Sequence, residues 1–382
     1  MTFLANPLVE SHRQYRLPTG DLHLTLHRET EPFDSICGVA ARANPKRGFL
    51  FVSRLLGRYT PIQPSSLRNI QLQLALSIPH DIPGPVLVVG MAEAAVGLAQ
   101  GIHDEFTSAN QRKDVLFSHT TRYVVQGHRT LSFQEEHSHA PQHFFYWPRK
   151  TEDAELINRA RTLLVVDDEC TTKKTFFNFV QAIRPHLPYL NQARLMVIHD
   201  WAAGITVRSG INLDCDFHAI TVGQWRFSPQ IFRQNALQLP PNAKGNGSDK
   251  TGILKLDFGR VPTQKKLYEL PPHLPPIKAS KNERVLVLGT GEFQYLPFCW
   301  AEKLEADGVD VRFQSTTRSP LLLGGEIQTA LKFDDSYGEG IPYYLYNSKL
   351  EDFDRVFFCC ESTHLLLPEE LASLPNLNPV YF

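Results

Sequence analysis

The residues best suited to chemistry follow an apolar run at residues 162–166, where Asp167 and Asp168 stand side by side. A hydroxyl- and amine-rich stretch comes next, made of Thr171, Thr172, Lys173, Lys174 and Thr175. The apolar run predicts a buried strand, and the polar stretch predicts the start of a helix. Unpaired backbone N–H groups and the helix dipole favour an anion there. The pattern therefore predicts a carboxylate pair beside a phosphate site.

These two groups of side chains restrict the ligand. Carboxylates repel a bare phosphate, whereas a ligand that carries both a phosphate and neutral hydroxyl groups satisfies both. Ribose 5-phosphate meets this condition, with its phosphate on the helix start and its 2- and 3-hydroxyls donating to Asp167 and Asp168. The residues alone thus predict a site for a phosphorylated ribose.

The elements that must position these residues form an alternating series. Short apolar runs that read as strands alternate with amphipathic stretches that read as helices, at residues 87–89, 91–106, 115–117, 163–166, from 172, and 195–198. This alternation predicts βαβ units around a mostly parallel sheet. Ligands bind such sheets beyond the carboxyl ends of the strands, where the acid pair is predicted to lie.

Composition divides the chain into three regions. Residues 1–235 form the predicted ligand-binding α/β domain, in which residues 1–80 read as a smaller covering element. Residues 236–282 are rich in Pro and Gly and poor in apolar periodicity, so they are predicted to be a linker. Residues 283–382 return to the α/β pattern and predict a second, smaller domain.

An internal repeat relates the two predicted domains. Residues 87–93 match residues 286–292 in character, and residues 114–122 match residues 310–318 in the same order. The third strand of the second domain ends in Glu361 without an acid pair or a Thr-rich helix start. We therefore expect a related domain that lost the site for a phosphorylated ribose and binds an acceptor, a product or a partner.

Overall composition excludes several classes of protein. The 382 residues contain 39 basic and 40 acidic side chains, so no global field recruits nucleic acid or an anionic membrane. The six cysteines show neither a zinc pattern nor a disulfide framework, and no apolar run is long enough to span a bilayer. The expectation is a cytoplasmic, soluble protein that binds a nucleotide-like small molecule.

The stretch from Val165 to Thr175 resembles the signature of type I phosphoribosyltransferases: an apolar strand, two acids, then Ser/Thr-rich phosphate contacts. The resemblance implies that Asp167 and Asp168 are catalytic and hold the ribose of phosphoribosyl pyrophosphate, with residues 171–175 on its 5-phosphate. It also implies a pyrophosphate loop, for which the candidates are Gly90, Met91, Ala92, Glu93 and Arg122. The implied cofactor is Mg²⁺, bound mainly by ligand oxygens, with Asp167 and Asp168 as candidate protein ligands.

The whole chain resembles, more narrowly, the phosphoribosyltransferases of bacterial tellurite-resistance and stress gene clusters. These carry a C-terminal domain named for a Thr-Arg-Ser-Pro motif, which is present here at residues 317–320. The resemblance implies nucleoside-like metabolite chemistry in a stress response. It also puts Trp201 where the family has its acceptor loop, so that Trp201 either stacks on a planar base or is a packed aromatic of the core.

Lys173 departs from the family signature, which has Gly at this position. Gly permits backbone torsions that strain other residues, so the lysine either helps to bind phosphate or marks a decayed site. The second reading keeps open a non-catalytic sensor or scaffold that acts through a protein partner. Whether the chain forms a homodimer is also left open.

Overall fold

The computed structural model of the protein describes residues 10–42, 44, 47–134, 142–204, 213–230, 248–265, 269–272, 274 and 283–382. Residues 10–230 are called the N-terminal half below, and residues 283–382 the C-terminal half. Much of the predicted linker lies outside the described residues. Within them, no helix has the length and apolar character needed to cross a bilayer.

The N-terminal half is built on one main sheet with two hairpins beside it. Its strands are β1 (Ser11–Leu17), β2 (Gly20–Glu29), β3 (Cys37–Ala41), β4 (Phe49–Ser53), β5 (Val86–Gly90), β6 (Val115–His119), β7 (Thr130–Gln134), β8 (Gln142–Tyr146), β9 (Thr162–Cys170), β10 (Gln192–Asp200) and β11 (Asp214–Pro229). The main sheet has the order β1-β2-β11-β10-β9-β5-β6. Strands β11 to β6 are parallel, and β1 and β2 are added antiparallel at one edge.

Helices cover both faces of this sheet. They are α1 (Phe33–Ile36), α2 (Pro64–Leu76), α3 (Val96–Asn110), α4 (Thr151–Asn158) and α5 (Lys174–Ile183), with a 3-10 turn at Arg184–His186. Every residue of β5 is buried, and its side chains alternate between two apolar clusters: Val86 and Val88 face α2 and α3, whereas Leu87 and Val89 face α5. A strand covered on both faces must be apolar throughout, which explains the uninterrupted run in the sequence.

The covering element differs from its prediction in one respect. Residues 1–80 are predicted to be a smaller covering element of the N-terminal domain, but β1 and β2 extend the main sheet through pairing of β2 with β11. The period-two alternation of β2 arises from this position, because Leu22, Leu24 and Leu26 are buried on one face. The β3–β4 hairpin and the loop after it form the part that lies over the carboxyl edge of the sheet.

The C-terminal half repeats the central part of this architecture. Its elements are β12 (Arg284–Gly289), α6 (Tyr295–Ala306), β13 (Asp310–Ser315), β14 (Ala330–Phe333), β15 (Tyr343–Tyr346), β16 (Arg355–Cys360), α7 (Glu369–Ala372) and β17 (Leu377–Tyr381), with a 3-10 turn at Leu350–Asp352. The parallel order β13-β12-β16-β17 corresponds to β6-β5-β9-β10, and the hairpin β14–β15 corresponds to β7–β8. The α/β class and the second, smaller domain are confirmed.

The two halves share one apolar core. A continuous cluster runs from Val88 and Ile102 in the N-terminal half to Val287 and Trp300 in the C-terminal half. Polar contacts close the same seam: Arg68 of α2 binds Glu302 of α6 at 2.6 Å. The helices α2, α3 and α6 therefore form a common layer between the two sheets.

The described part of the predicted linker is folded. Residues 248–265 make turns and pair with the N-terminal half through Val124 and Phe117. Lys250 and Arg260 in this segment are 2% and 1% exposed. Pro and Gly mark the turns correctly, but the buried ion pairs that hold the segment connect distant residues and leave no local pattern. The domain boundaries themselves stay a prediction.

Candidate functional site

A cleft of about 240 Å³ lies beyond the carboxyl ends of β5 and β9. Its walls come from both halves of the chain and from the covering hairpin. The lining residues include Arg42, Arg47, Leu50, Arg58, Tyr59, residues 91–94, Arg122, His143, residues 167–176, residues 318–320, Ile341 and Pro342. The structure thus brings together the predicted acid pair, the predicted phosphate loop, Arg122 and most of the predicted pyrophosphate loop.

The acid pair stands at the end of β9, where the strand leaves the core. Asp167 and Asp168 are half-buried, and the Asp167 Oδ1 accepts a hydrogen bond of 2.9 Å from the Asp168 N–H. Burial, followed by the negative charge of Glu169, raises the pKa of Asp168 to about 6. Arg47 offsets part of that charge, because its Nη1 binds Glu169 Oε1 at 2.9 Å. The pair can accept hydrogen bonds from ligand hydroxyls when it is ionised.

The loop after the acid pair has the form predicted for a phosphate site. Thr171, Thr172 and Thr175 line the cleft, and α5 begins at Lys174. Lys173 has φ 60° and ψ 0°, which is the left-handed conformation that glycine adopts without cost. The backbone therefore keeps the turn that the family signature builds with Gly.

The ammonium group of Lys173 has partners outside the phosphate loop. Its Nζ lies 3.4 Å from the Ala202 carbonyl oxygen, 3.8 Å from Asp200 Oδ2 and 4.3 Å from the centre of the Phe217 ring. These contacts hold the side chain against β10 and β11. The backbone of Lys173 therefore adopts the left-handed turn, while Asp200 balances the charge of its side chain.

The loop after β5 forms the opposite wall of the cleft. Gly90 does not line the cleft, but a Cβ there would lie 2.7 Å from the Ala99 Cβ, so glycine permits the close approach of α3. Met91, Ala92 and Glu93 do line it, and the Ala92–Glu93 peptide is cis. The Ala92 N–H donates to Thr120 Oγ1 at 2.9 Å, which ties the loop to the end of β6.

Glu93 organises the guanidinium groups at this wall. Its Oε2 accepts a hydrogen bond of 2.9 Å from Arg58 Nη2 and lies 3.7 Å from Arg318 Nε. Burial alone would raise the pKa of Glu93, but Arg58 and Arg318 lower it below its ordinary value. Arg122 lies beside them and donates from Nη2 to the Ala92 carbonyl at 3.2 Å. This wall carries three cations around one carboxylate and suits an anionic group.

Trp201 lies elsewhere. It is 3% exposed, and its ring stacks on Phe51 at 4.3 Å between centroids and meets Phe33 edge-on at 5.7 Å. Of the two readings of Trp201, an acceptor contact and a packed aromatic, this position agrees with the packed aromatic. An aromatic residue after a buried strand can equally well belong to the core, and here Phe33 of α1 and Phe51 of β4 enclose it.

Sequence reasoning missed two of the arginines that line this wall as site residues. Arg58 follows β4 in a loop without a recognisable motif, and nothing local indicates that it meets Glu93. Arg318 did carry a signal, because it belongs to the repeated Thr-Thr-Arg block and to the Thr-Arg-Ser-Pro motif. The repeat could therefore have identified Arg318.

The repeated blocks meet each other across the seam between the halves. Glu93 of the N-terminal half contacts Arg318 of the C-terminal half. In return, Glu292 accepts hydrogen bonds from the Thr121 hydroxyl at 2.6 Å and the Arg122 backbone N–H at 2.8 Å. Each half thus presents its glutamate to the Thr-Thr-Arg block of the other half.

Each Thr-Thr-Arg block is also held in the same way within its own half. The first threonine, Thr120 or Thr316, donates from its backbone N–H to the glycine that ends the neighbouring strand, at 2.9 and 3.0 Å. Thr121 exchanges two backbone hydrogen bonds with Phe144, as Thr317 does with Tyr344. The two halves are therefore equivalent around this seam in hydrogen bonding as well as in strand order.

Comparisons with known proteins agree with this geometry. Residues 36–223 match a family model described as phosphoribosyl transferase, and residues 263–373 match the TRSP domain that follows it. The comparison with curated proteins gave no match.

Several solved structures resemble about half of the chain at low identity. The adenine phosphoribosyl transferase from Trypanosoma brucei in complex with AMP, pyrophosphate and ribose-5-phosphate is 10% identical, with 49% of this chain and 77% of that chain covered and a TM-score of 0.33. The adenine phosphoribosyltransferase from Rhodothermus marinus is 12% identical, with 50% and 97% covered and a TM-score of 0.34. The enzyme from Giardia lamblia complexed with 9-deazaadenine is 11% identical, with 50% and 97% covered and a TM-score of 0.34.

The two family models together match most of the chain, the transferase model first and the TRSP model after it. The chain belongs to the phosphoribosyl transferase family whose members carry a C-terminal TRSP domain.

Proposed function

We propose that the chain is a phosphoribosyltransferase that binds phosphoribosyl pyrophosphate with Mg²⁺ and transfers ribose 5-phosphate to or from a base-like acceptor. The observation that carries the proposal is the composition of the cleft. One cleft combines the acid pair Asp167 and Asp168, the threonines of the phosphate loop, and the guanidinium wall around Glu93. Ribose hydroxyls, 5-phosphate and pyrophosphate each find a matching set of groups there.

The acid pair has two roles in this proposal. Its carboxylates accept hydrogen bonds from the ribose 2- and 3-hydroxyls, which orients the anomeric carbon. Departure of pyrophosphate leaves positive charge on the ribose ring, as in glycoside chemistry, and the carboxylates of Asp167 and Asp168 stabilise that charge. In this proposal, negative groups lie near the sugar and positive groups lie near the leaving group.

The guanidinium wall binds the leaving group. Arg58 and Arg122 present N–H donors at the loop after β5, where the pyrophosphate oxygens would lie. Charge-assisted hydrogen bonds to guanidinium groups are among the stronger polar contacts in proteins. Water is limited on this side because Glu93 and Arg58 are 8% and 6% exposed.

The carboxylates also fit Mg²⁺, which prefers oxygen ligands. Among the described residues, no group of three or more His, Cys, Asp or Glu side chains is arranged to hold a metal ion. Asp167 and Asp168 would supply the protein oxygens, with the remaining ligands from the substrate and water. When bound, the ion neutralises charge on the pyrophosphate.

The test is calorimetric titration of phosphoribosyl pyrophosphate with magnesium into the native chain and the Asp167→Asn/Asp168→Asn variant. We expect binding to the native chain and a loss of about 100-fold or more in the variant, since both sugar-binding carboxylates are removed. The matched control is Asp214→Asn, an exposed acid at the amino end of β11, which should bind as the native chain does.

The outcomes separate the candidate activities. Binding followed by pyrophosphate release with an acceptor supports the transferase. Donor binding without turnover across a panel of bases supports the sensor or scaffold instead. A native chain that binds no donor, or a double variant that binds it normally, contradicts the proposed site. The stress-response role stays a prediction from the sequence.

A further inference from the structure

Arg318 of the C-terminal half points into the cleft of the N-terminal half. It follows β13, and its side chain is 10% exposed. Its Nε faces Glu93, its Cζ lies 5.4 Å from the centre of the Tyr123 ring, and its Nη2 has no hydrogen-bond partner among the described residues. A guanidinium group that is buried, anchored at one end and unpaired at the other is arranged to receive an anion.

The corresponding place in the C-terminal half shows what fills such a site. There Arg260 binds Glu292 at 3.1 Å and Glu361 at 2.6 and 3.0 Å, and Tyr337 donates to Glu361 at 3.0 Å. Glu361 lies three residues after Phe358, as Asp168 lies three residues after Val165. Phe358 pairs with Leu288, and Val165 pairs with Val89. Leu288 and Val89 are equivalent because each comes directly before the glycine that ends its strand. The 248–265 segment thus occupies in one half the space that is an open cleft in the other.

Guanidinium groups outnumber carboxylates at the wall of the open cleft that Glu93 organises. Arg58, Arg122 and Arg318 contribute three positive charges at the wall, and Glu93 contributes one negative charge. Glu292 also acts on Arg318, but it is shared with Arg260, which binds Glu361 as well. A multiply charged anion such as pyrophosphate is the chemistry that this arrangement fits.

We propose that the C-terminal half is a built-in second copy of the N-terminal half, and that its Arg318 binds the pyrophosphate of the donor from across the seam. This inference rests on the proposed function, since it assigns one more contact in the same cleft. It also gives the C-terminal half a role other than the one expected from its sequence: it completes the donor site. The Thr-Arg-Ser-Pro motif then marks a binding residue.

The experiment uses two probes on the full chain, inorganic pyrophosphate with magnesium and ribose 5-phosphate. In Arg318→Gln we expect pyrophosphate affinity to fall about tenfold or more, because a charged donor is lost, while ribose 5-phosphate affinity stays within about twofold. Arg312→Gln is the matched control: Arg312 lies on β13, the strand that precedes Arg318, is 34% exposed and pairs with Asp310. Both affinities should be unchanged in the control.

Ribose 5-phosphate also reports whether the cleft remains folded. If Arg318→Gln binds neither ligand, the test is repeated with Arg318→Lys. This variant keeps the positive charge but loses the forked donor geometry of the guanidinium group. There we expect a threefold to tenfold loss for pyrophosphate alone, as an order of magnitude. Undiminished pyrophosphate binding in the folded variants overturns the role of Arg318. A native chain that binds neither probe instead contradicts the proposed function.

Discussion

Glu93 and Glu292 follow corresponding strands in the two halves, yet their surroundings differ. Glu93 holds Arg58 and Arg318 beside an open cleft, whereas Glu292 is bonded to Arg260, which also binds Glu361 and fills the equivalent space. The same corner of the fold is therefore an open cleft in one half and a buried ion network in the other. The comparison indicates that the folded 248–265 segment, more than the sheet, decides which use applies.

The largest expected effect on stability comes from removing Arg260, which fills this corner in the C-terminal half. Arg260→Met should lower the free energy of unfolding by about 3–5 kcal/mol, because Glu292 and Glu361 would remain buried without their partner. Urea denaturation measures the loss. Arg318→Met should cost less, since Glu93 keeps Arg58. Equal losses of unfolding free energy in the two variants would contradict the distinction between the filled space around Glu292 and the open cleft beside Glu93.

A smaller effect is expected at the acid pair, where the open cleft holds a half-buried carboxyl group. The folded-state pKa of Asp168 is raised to about 6, above its unfolded value of about 3.9. The folded chain then binds more protons than the unfolded chain between about pH 4 and 6, so stability falls as the pH rises through that window.

Asp168→Asn removes this penalty. In metal-free buffer at pH 7.5 the variant should be more stable than the native chain by on the order of 1–2 kcal/mol, after allowance for solvent screening. The difference should shrink towards zero at pH 4.5, measured by urea denaturation at several pH values. A variant that is less stable at pH 7.5 would show that the carboxylate is structural, as Glu361 is in the other half.

The smallest predicted effect concerns the phosphate loop, which has no counterpart in the C-terminal half. Lys173 has a positive φ, so Lys173→Ala should be less stable than Lys173→Gly by about 1 kcal/mol. Both variants lose the contact with Asp200, and their comparison isolates the backbone. Thermal unfolding gives the stability. Donor affinity should change less than about threefold in Lys173→Gly, since the ammonium group is held by Asp200.

The parts of this molecule that follow local rules could be predicted from its sequence. The acid pair and the turn into α5 after it were recognisable because an apolar strand, two carboxylates and a Thr-rich helix start are adjacent in the chain. The repeat predicted a related second domain, and the matching strand orders agree with it. In each case the residues that form the sequence pattern are adjacent in the chain, and they also form the structural element.

The parts that could not be predicted depend on contacts between distant residues. Arg58 meets Glu93 only because the covering hairpin lies over the sheet edge. Arg260 lies in a segment whose Pro and Gly content indicates a linker, whereas its partners Glu292 and Glu361 follow the ends of β12 and β16. Trp201 entered the core because Phe33 and Phe51 enclose it, which the sequence around it does not indicate.

The shared helical layer has a consequence for how the cleft responds to dilution. An enzyme whose site is shared between separate subunits loses that site when the subunits dissociate at low concentration. Here the helices α2, α3 and α6 join both sheets within one polypeptide, so the second copy is present at a fixed effective concentration. A site completed by Arg318 would then work equally well at nanomolar and micromolar protein, and its abundance in the cell could vary without changing the activity per molecule.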